Sequence, residues 1–254
     1  MTDMLATLLD SLPYLLWGAF PTGPLGGAAL TLLLSAGSAT ASAVLGLAGG
    51  IALALAPPVL RRALLVPIGF LRAIPVLMLI FWTYFLLPFA LGISVPGVLS
   101  VMCALSLVGG AYLAHAVLAG IRGVGQGQWA AGLSLGLTRW GTLRHVVLPQ
   151  ALRIMLPSFV NQWVTLVKDS SLAYVVGVGE LSFLAAHVNA RTMIYPAEIF
   201  MLVGALYWLM CMAVDRLAGW MAALGQARGP GPVAGGPQAD STVGMPAGQP
   251  ARLP

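Results

Sequence analysis

The sequence predicts an all-α, polytopic membrane protein with about five membrane-crossing helices. Three observations lead there: a shortage of charge, long charge-free stretches broken by turn residues, and basic residues that gather on one side of the resulting spans. Only 7% of the 254 residues are charged, against about 25% in an ordinary soluble domain. Apolar residues make up 59% and the mean hydropathy is +0.93. A water-soluble enzyme of this size has too little interior to hide that surface. A net charge of +5 is too thin for a nucleic-acid binder. The two cysteines, Cys103 and Cys211, sit inside apolar runs and suggest neither a disulfide framework nor a zinc site. The start, Met1-Thr2-Asp3-Met4, lacks a basic region ahead of an apolar run, so no cleavable signal peptide is expected.

The spans follow from the gaps. No residue between Asp10 and Arg61 is charged, and the apolar part, 26–56, is long enough to cross a bilayer with tilt before Pro57-Pro58 ends it. The gap from Arg72 to Arg122 is too long for one helix. Pro88 and the turn-rich run 92–97 divide it into helices at 64–87 and 98–119. A fourth stretch, 157–178, is interrupted by Lys168-Asp169, and a fifth covers 197–218. Residues 26–220 thus form the membrane domain.

With the N-terminus outside, Arg61, Arg62, Arg122, Arg139, Arg144, Arg153, Arg216 and Arg228 all fall on the cytoplasmic side, and Arg191 alone lies outside. This positive-inside bias sets the expected orientation, N-terminus periplasmic and C-terminus cytoplasmic. Residues 1–25 form an N-terminal segment that either lies as a short helix on the outer surface, with Leu5, Leu8, Leu9 and Leu12 on one stripe, or extends the first span. The tail, 221–254, is rich in Gly, Pro, Ala and Gln and reads as cytoplasmic disorder.

The connection 120–154 is too long for a hairpin loop and too apolar for a free linker. Residues 128–135 read as a short, small-residue helix stopped by Gly136. Thr138 caps a second helix from Arg139 to Leu148, ended by Pro149, with Trp140, Leu143, Val146 and Val147 on one face. Such an element either docks into a groove on another protein or lies on the surface as a helical hairpin.

The run 127–136 and then Val146-Val147-Leu148-Pro149-Gln150-Ala151 resembles the EAA loop of ATP-binding-cassette (ABC) importer permeases, Glu-Ala-Ala, three residues, Gly, nine residues, Ile-x-Leu-Pro. Gly136 and Leu148-Pro149 stand at that spacing. Further likenesses point to the polar-amino-acid branch: Leu71-Arg72-Ala73-Ile74-Pro75, Ala111-Tyr112-Leu113-Ala114, Asn161-Gln162, Lys168-Asp169-Ser170-Ser171-Leu172 and Gly177-Val178-Gly179-Glu180-Leu181. The second span is weakly similar to glutamate/aspartate permeases. The resemblance covers roughly 10–220 and implies a type I importer permease of the bacterial inner membrane. By that resemblance the chain binds no cofactor itself. ATP and Mg are used by separate ATPase subunits, a periplasmic solute-binding protein delivers substrate, and a second permease chain, identical or paralogous, completes the transporter. The ATPase-coupling residues it implies are Trp129, Ala130, Ala131, Gly132, Gly136, Arg139, Arg144, Leu148 and Pro149. The sequence departs from the pattern at Ala130 (a Glu in the family), Gly132 (Ala), His115 (usually Glu) and Leu118 (often Arg).

The residues themselves agree that energy comes from elsewhere. A phosphate-binding loop needs Gly-Lys-Ser/Thr, and the sole lysine, Lys168, follows Val167. Three scattered histidines and few acids offer no metal or acid/base cluster. Polar groups inside a span are expensive and tend to line a path. Gln162, Thr165 and Asp169 share one helical face, with Asn161 and Lys168 on the adjacent one. Lys168 and Asp169 either pair with neighbouring helices to hold the bundle or contact an amino-acid substrate. Arg72 either faces the path or snorkels to cytoplasmic phosphates. Glu180 and His187, expected outside, are solvated loop groups or contacts for the binding protein. The competing class, an ion-coupled secondary transporter, predicts inverted repeats that the sequence does not display.

Overall fold

The computed structural model describes residues 2–226 and, among them, is built from helices alone. In chain order these are α1 (Thr2–Trp17), α2 (Gly27–Leu55), α3 (Pro58–Ala73), α4 (Val76–Leu91), α5 (Gly97–Gly123), α6 (Gln126–Ser134), α7 (139–169), α8 (Leu181–Thr192) and α9 (Pro196–Gln226). The tail assigned to 221–254 begins later than the composition suggests, because α9 runs on to Gln226; its remainder lies outside the described residues. At the other end, α1 is separate from α2 and does not extend the first span. Gly18, with φ +70, and Gly27, with φ +60, turn the chain between the two.

Three helices, α2, α5 and Pro196–Trp220 of α9, are long and apolar enough to cross a membrane. The pair α3 and α4 qualifies together, but its halves are bent by 103°. The single helix expected over 64–87 is therefore two, for a local reason. Ile74 precedes Pro75, whose ring excludes the helical conformation from its neighbour, and Ile74 is extended at φ −79 and ψ 138. The fourth expected span is corrected as well. It begins not at 157 but as part of α7, which carries enough polar groups (Gln150, Arg153, Asn161, Gln162) to fall below the apolarity of the others. Regular α-helix ends at Asp169, and a 3-10 segment, Ser170–Val176, follows.

Pro149 does not end the second loop helix. The chain passes from Arg139–Thr142 through a π-helical turn, Leu143–Val147, directly into Leu148–Asp169. The wider π turn absorbs the missing N–H and the ring of Pro149 without a break. Leu143 and Val147 are fully buried as expected, but the buried face runs through Thr142 and Leu143, which leaves Trp140 exposed.

The tightest pair is α2 on α5. Side chains built on Gly46 and Gly50 would overlap Leu113 and Val117, and one on Gly109 would sit 2.8 Å from Ser42 Cβ. Small residues recurring every fourth position on α2 (Ser38, Ser42, Gly46, Gly50) let the backbones meet, the usual packing where lipid gives helices no hydrophobic reason to associate. The apolar core divides into three clusters along the bundle. Leu34, Ile80, Val101 and Leu105 lie between α2, α4 and α5. Leu15, Leu181 and Ile199 join α1, α8 and α9. Leu113, Ile121, Leu143 and Val147 fasten the end of α5 to the start of α7.

Candidate functional site: an anchored loop with an apolar tip

The segment between α5 and α7 is held from below and bare on top. Its first helix, α6, ends in a paired closure: Gly136 N–H donates to Leu133 O at 3.0 Å and Leu137 N–H to Gly132 O at 3.2 Å. That closure requires a left-handed residue, and Gly136 supplies it with φ +80. The Thr138 hydroxyl then accepts from Gly141 N at 3.1 Å and starts α7. Gln150 Nε2 donates to Gln128 Oε1 at 3.3 Å, tying α6 to the first turn beyond the π segment.

The family's Ala falls on Gly132, and its replacement has a structural cause. Gly132 is buried against Thr142, and a Cβ there would lie 2.5 Å from Thr142 Cγ2. The two positions therefore act as a pair. Gly132→Ala is expected to destabilise the chain by roughly 1–3 kcal/mol through overpacking. Adding Thr142→Ala should recover most of that, a non-additivity read from thermal unfolding of the two single variants and the double variant.

Above this anchorage Leu135 is 81% exposed and Trp140 51% exposed, with Ala130, Ala131, Arg139 and Arg144 also at the surface. Of the coupling residues implied by the resemblance, Trp129 is half-buried against the α5–α7 core, Gly132 is buried and Leu148 is half-buried; these support the loop. Gly136 shapes it, and Pro149 is exposed on its far side.

The candidate path residues do not form one cluster. Asn161 lies in an open groove of about 550 Å³ between α7 and α9, together with Arg153, Trp208 and Asp215. Thr165 donates to its own helix at Asn161 O, 2.9 Å, leaving Gln162 on the neighbouring, half-buried side. Lys168 is exposed and Asp169 half-buried at the end of α7, and neither has an ion-pair partner among the described residues. Arg72 lies elsewhere, at the α3–α4 bend, where its guanidinium stacks 5.0 Å from the Tyr112 ring centre and its carbonyl accepts from the Tyr112 hydroxyl at 3.4 Å.

One residue was misjudged from sequence. Glu180, expected in an exposed outer loop, is fully buried. Its carboxylate accepts from Ser182 N and Phe183 N, both at 2.9 Å, and from the Tyr207 hydroxyl at 2.7 Å. Beside it, Leu181 N–H donates to Thr31 Oγ1 at 3.1 Å and Gly27 N–H to Gly179 O at 2.9 Å. Glu180 thus caps α8 and joins it to α9, while the adjoining backbone joins α8 to α2. An acid just after Gly177-Val178-Gly179 and just before an apolar helix is an N-cap signal that the charge pattern concealed. His187, by contrast, is exposed and stacks on Phe183 with ring centres 5.6 Å apart.

Helices long and apolar enough to cross a membrane, with an anchored loop between α5 and α7, define a membrane-embedded helix bundle. Residues 46–223 match the family described as binding-protein-dependent transport system inner membrane component. The chain is 34% identical over 203 residues to the probable amino-acid ABC transporter permease protein YckA of Bacillus subtilis, covering 80% of this chain and 85% of that one. It is 32% identical to the glutamine transport system permease protein GlnP of Escherichia coli, covering 79% of this chain and 91% of the relative. A chain from the crystal structure of an amino acid ABC transporter with histidines superposes with a TM-score of 0.71 at 23% identity, over 88% of this chain and 96% of that one. The protein belongs to this family of ABC importer permeases: it is an integral-membrane transport subunit, not an enzyme.

Proposed function

We propose that the chain carries a polar amino acid across the bacterial inner membrane by alternating access, with the 124–147 segment facing the cytoplasm and gripped by a separate ATPase subunit that uses ATP and Mg. The observation that carries this reading is the contrast within the loop. Its base is locked by Leu143, Val147 and the Gly132–Thr142 contact, and its tip presents Leu135 and Trp140 to solvent beside Arg139 and Arg144. A stiff base lets force at the tip move the ends of α5 and α7, and an exposed apolar patch between arginines suits a partner groove.

In this reading five crossings are made by α2, the bent α3–α4 pair, α5, α7 and α9, with the N-terminus periplasmic. The amides Asn161 and Gln162, with Thr165, Lys168, Asp169 and Arg72, offer groups suited to an ammonium and a carboxylate. Of these only Asn161 lines the open α7–α9 groove; in this reading a second permease chain completes the path and a periplasmic binding protein loads it. Alanine at 130, where the resembled loop motif has Glu, shifts docking onto Leu135, Trp140 and the two arginines.

Gly136→Arg tests the docking role. No atom lies within 4 Å of a Cβ at this position, so the cost is confined to backbone strain of about 1 kcal/mol at a non-glycine residue with positive φ. The variant should insert normally yet lose copurification of the ATPase. Unchanged copurification would argue against the docking role.

A further inference from the structure

We infer that the chain holds the phosphate of an anionic phospholipid, from the leaflet on the loop side, in a basic cavity between the ends of α2 and α5 and the start of α6. The cavity has a volume of about 520 Å³ and is lined by Arg61, Arg122 and Arg139. No acidic side chain is among its lining residues. Arg61 also lines a smaller adjoining cavity of about 260 Å³, and its Nε is buried with no hydrogen-bond partner among the described residues. A buried, unsatisfied guanidinium N–H is costly unless something outside the chain accepts from it. Three guanidinium groups around one space repel one another until an anion enters.

The chemistry of that anion follows from the walls. Arginine forks match the paired oxygens of a phosphate. The N-terminus of α6 has no side-chain cap, so its first-turn N–H groups add positive potential beside Gln126 at the rim. The opposite wall is apolar, with Leu53 and Ile121 from the last turns of two membrane-crossing helices. A free ion needs no such wall, whereas a lipid brings a charged head and a greasy stem together. Basic pockets of this kind between helices at the membrane face hold lipid head groups. The docking proposal is not required for this site. Arg139 is shared with the loop tip, but Arg61 and Arg122, the two arginines the test changes, lie outside it.

The test uses the complex purified with its ATPase in mild detergent, with bound lipid read by native mass spectrometry after incubation with phosphatidylglycerol or phosphatidylcholine. The wild type should retain phosphatidylglycerol preferentially. The double variant Arg61→Gln, Arg122→Gln should lower that retention about thirtyfold, the effect of two arginine contacts at about 1 kcal/mol each. The exposed control Arg216→Gln should leave it unchanged, and ATPase copurification should persist throughout. Equal retention of the two lipids by the wild type, or no change in the double variant, overturns the proposal. Displacement of the lipid by millimolar inorganic phosphate overturns it in favour of a free anion. Loss of the ATPase without loss of lipid overturns it in favour of an acidic group on the motor. If the double variant fails to fold, the wild type decides alone: phosphatidylglycerol nanodiscs should raise its unfolding temperature over phosphatidylcholine ones, and equal temperatures refute the site.

Discussion

Glu180→Ala is expected to be the most destabilising single truncation in the chain. It removes the cap of α8, about 1 kcal/mol. It also leaves the part-buried N–H groups of Ser182 and Phe183 unmet, each costing about 1–3 kcal/mol, while the Tyr207 hydroxyl keeps only Ser182 Oγ, at 3.0 Å. The combined loss of roughly 3 kcal/mol or more should appear as a lower unfolding temperature and early aggregation on size-exclusion chromatography after heating. Glu180→Gln should be much milder. Its amide keeps an oxygen for Phe183 N–H, and the Tyr207 hydroxyl can accept from the amide NH₂. If alanine and glutamine behave alike, the carboxylate is not the joint between α8 and α9.

Leu135→Asp should have the largest effect on transport with the least effect on folding. Leu135 is 81% exposed, so the isolated chain loses no packing. Placing a carboxylate where a partner groove closes over an apolar tip removes an interface anchor, and such residues commonly contribute about 2 kcal/mol or more. Binding of the ATPase should weaken about thirtyfold, with uptake by the reconstituted complex falling in parallel. Unfolding temperature and membrane insertion should match the wild type. Full uptake with Asp at this position would mean that the tip touches nothing.

Much of this was readable before any coordinates, and what escaped did so for identifiable reasons. The crossings α2 and α5 are plain because a bilayer tolerates few charges, so gaps in charge mark them. The loop was legible because Gly136 and Leu148-Pro149 keep a fixed spacing, and Gly136 does provide the left-handed turn. Proline cuts both ways: Pro149 reads as a stop, yet a π turn carries the helix through it, whereas Pro75, with Ile74 before it, breaks the second crossing. Trp140, expected beside Leu143, is exposed because the buried face runs through Thr142 and Leu143. Glu180 was misplaced because charge was counted as a marker of exposure, whereas a carboxylate facing two N–H donors and a hydroxyl can be sealed inside. Gly132 looked like a departure from its family until Thr142 was seen against it. The polar groups on α7 were identified, but their grouping depends on which helix lies opposite, and only Asn161 shares the α7–α9 groove.

The most direct measurement is site-specific cross-linking in the assembled complex, with Cys103 and Cys211 replaced by serine. A cysteine at Leu135 is placed at the loop tip, and one at Phe89, 87% exposed, lies near the opposite end of α5. With a short thiol-reactive linker, the Leu135 site should join to the ATPase subunit in high yield and the Phe89 site should not. A Leu135 cysteine that links only to lipid or to the solute-binding protein, while the ATPase is captured from Phe89, would contradict the account.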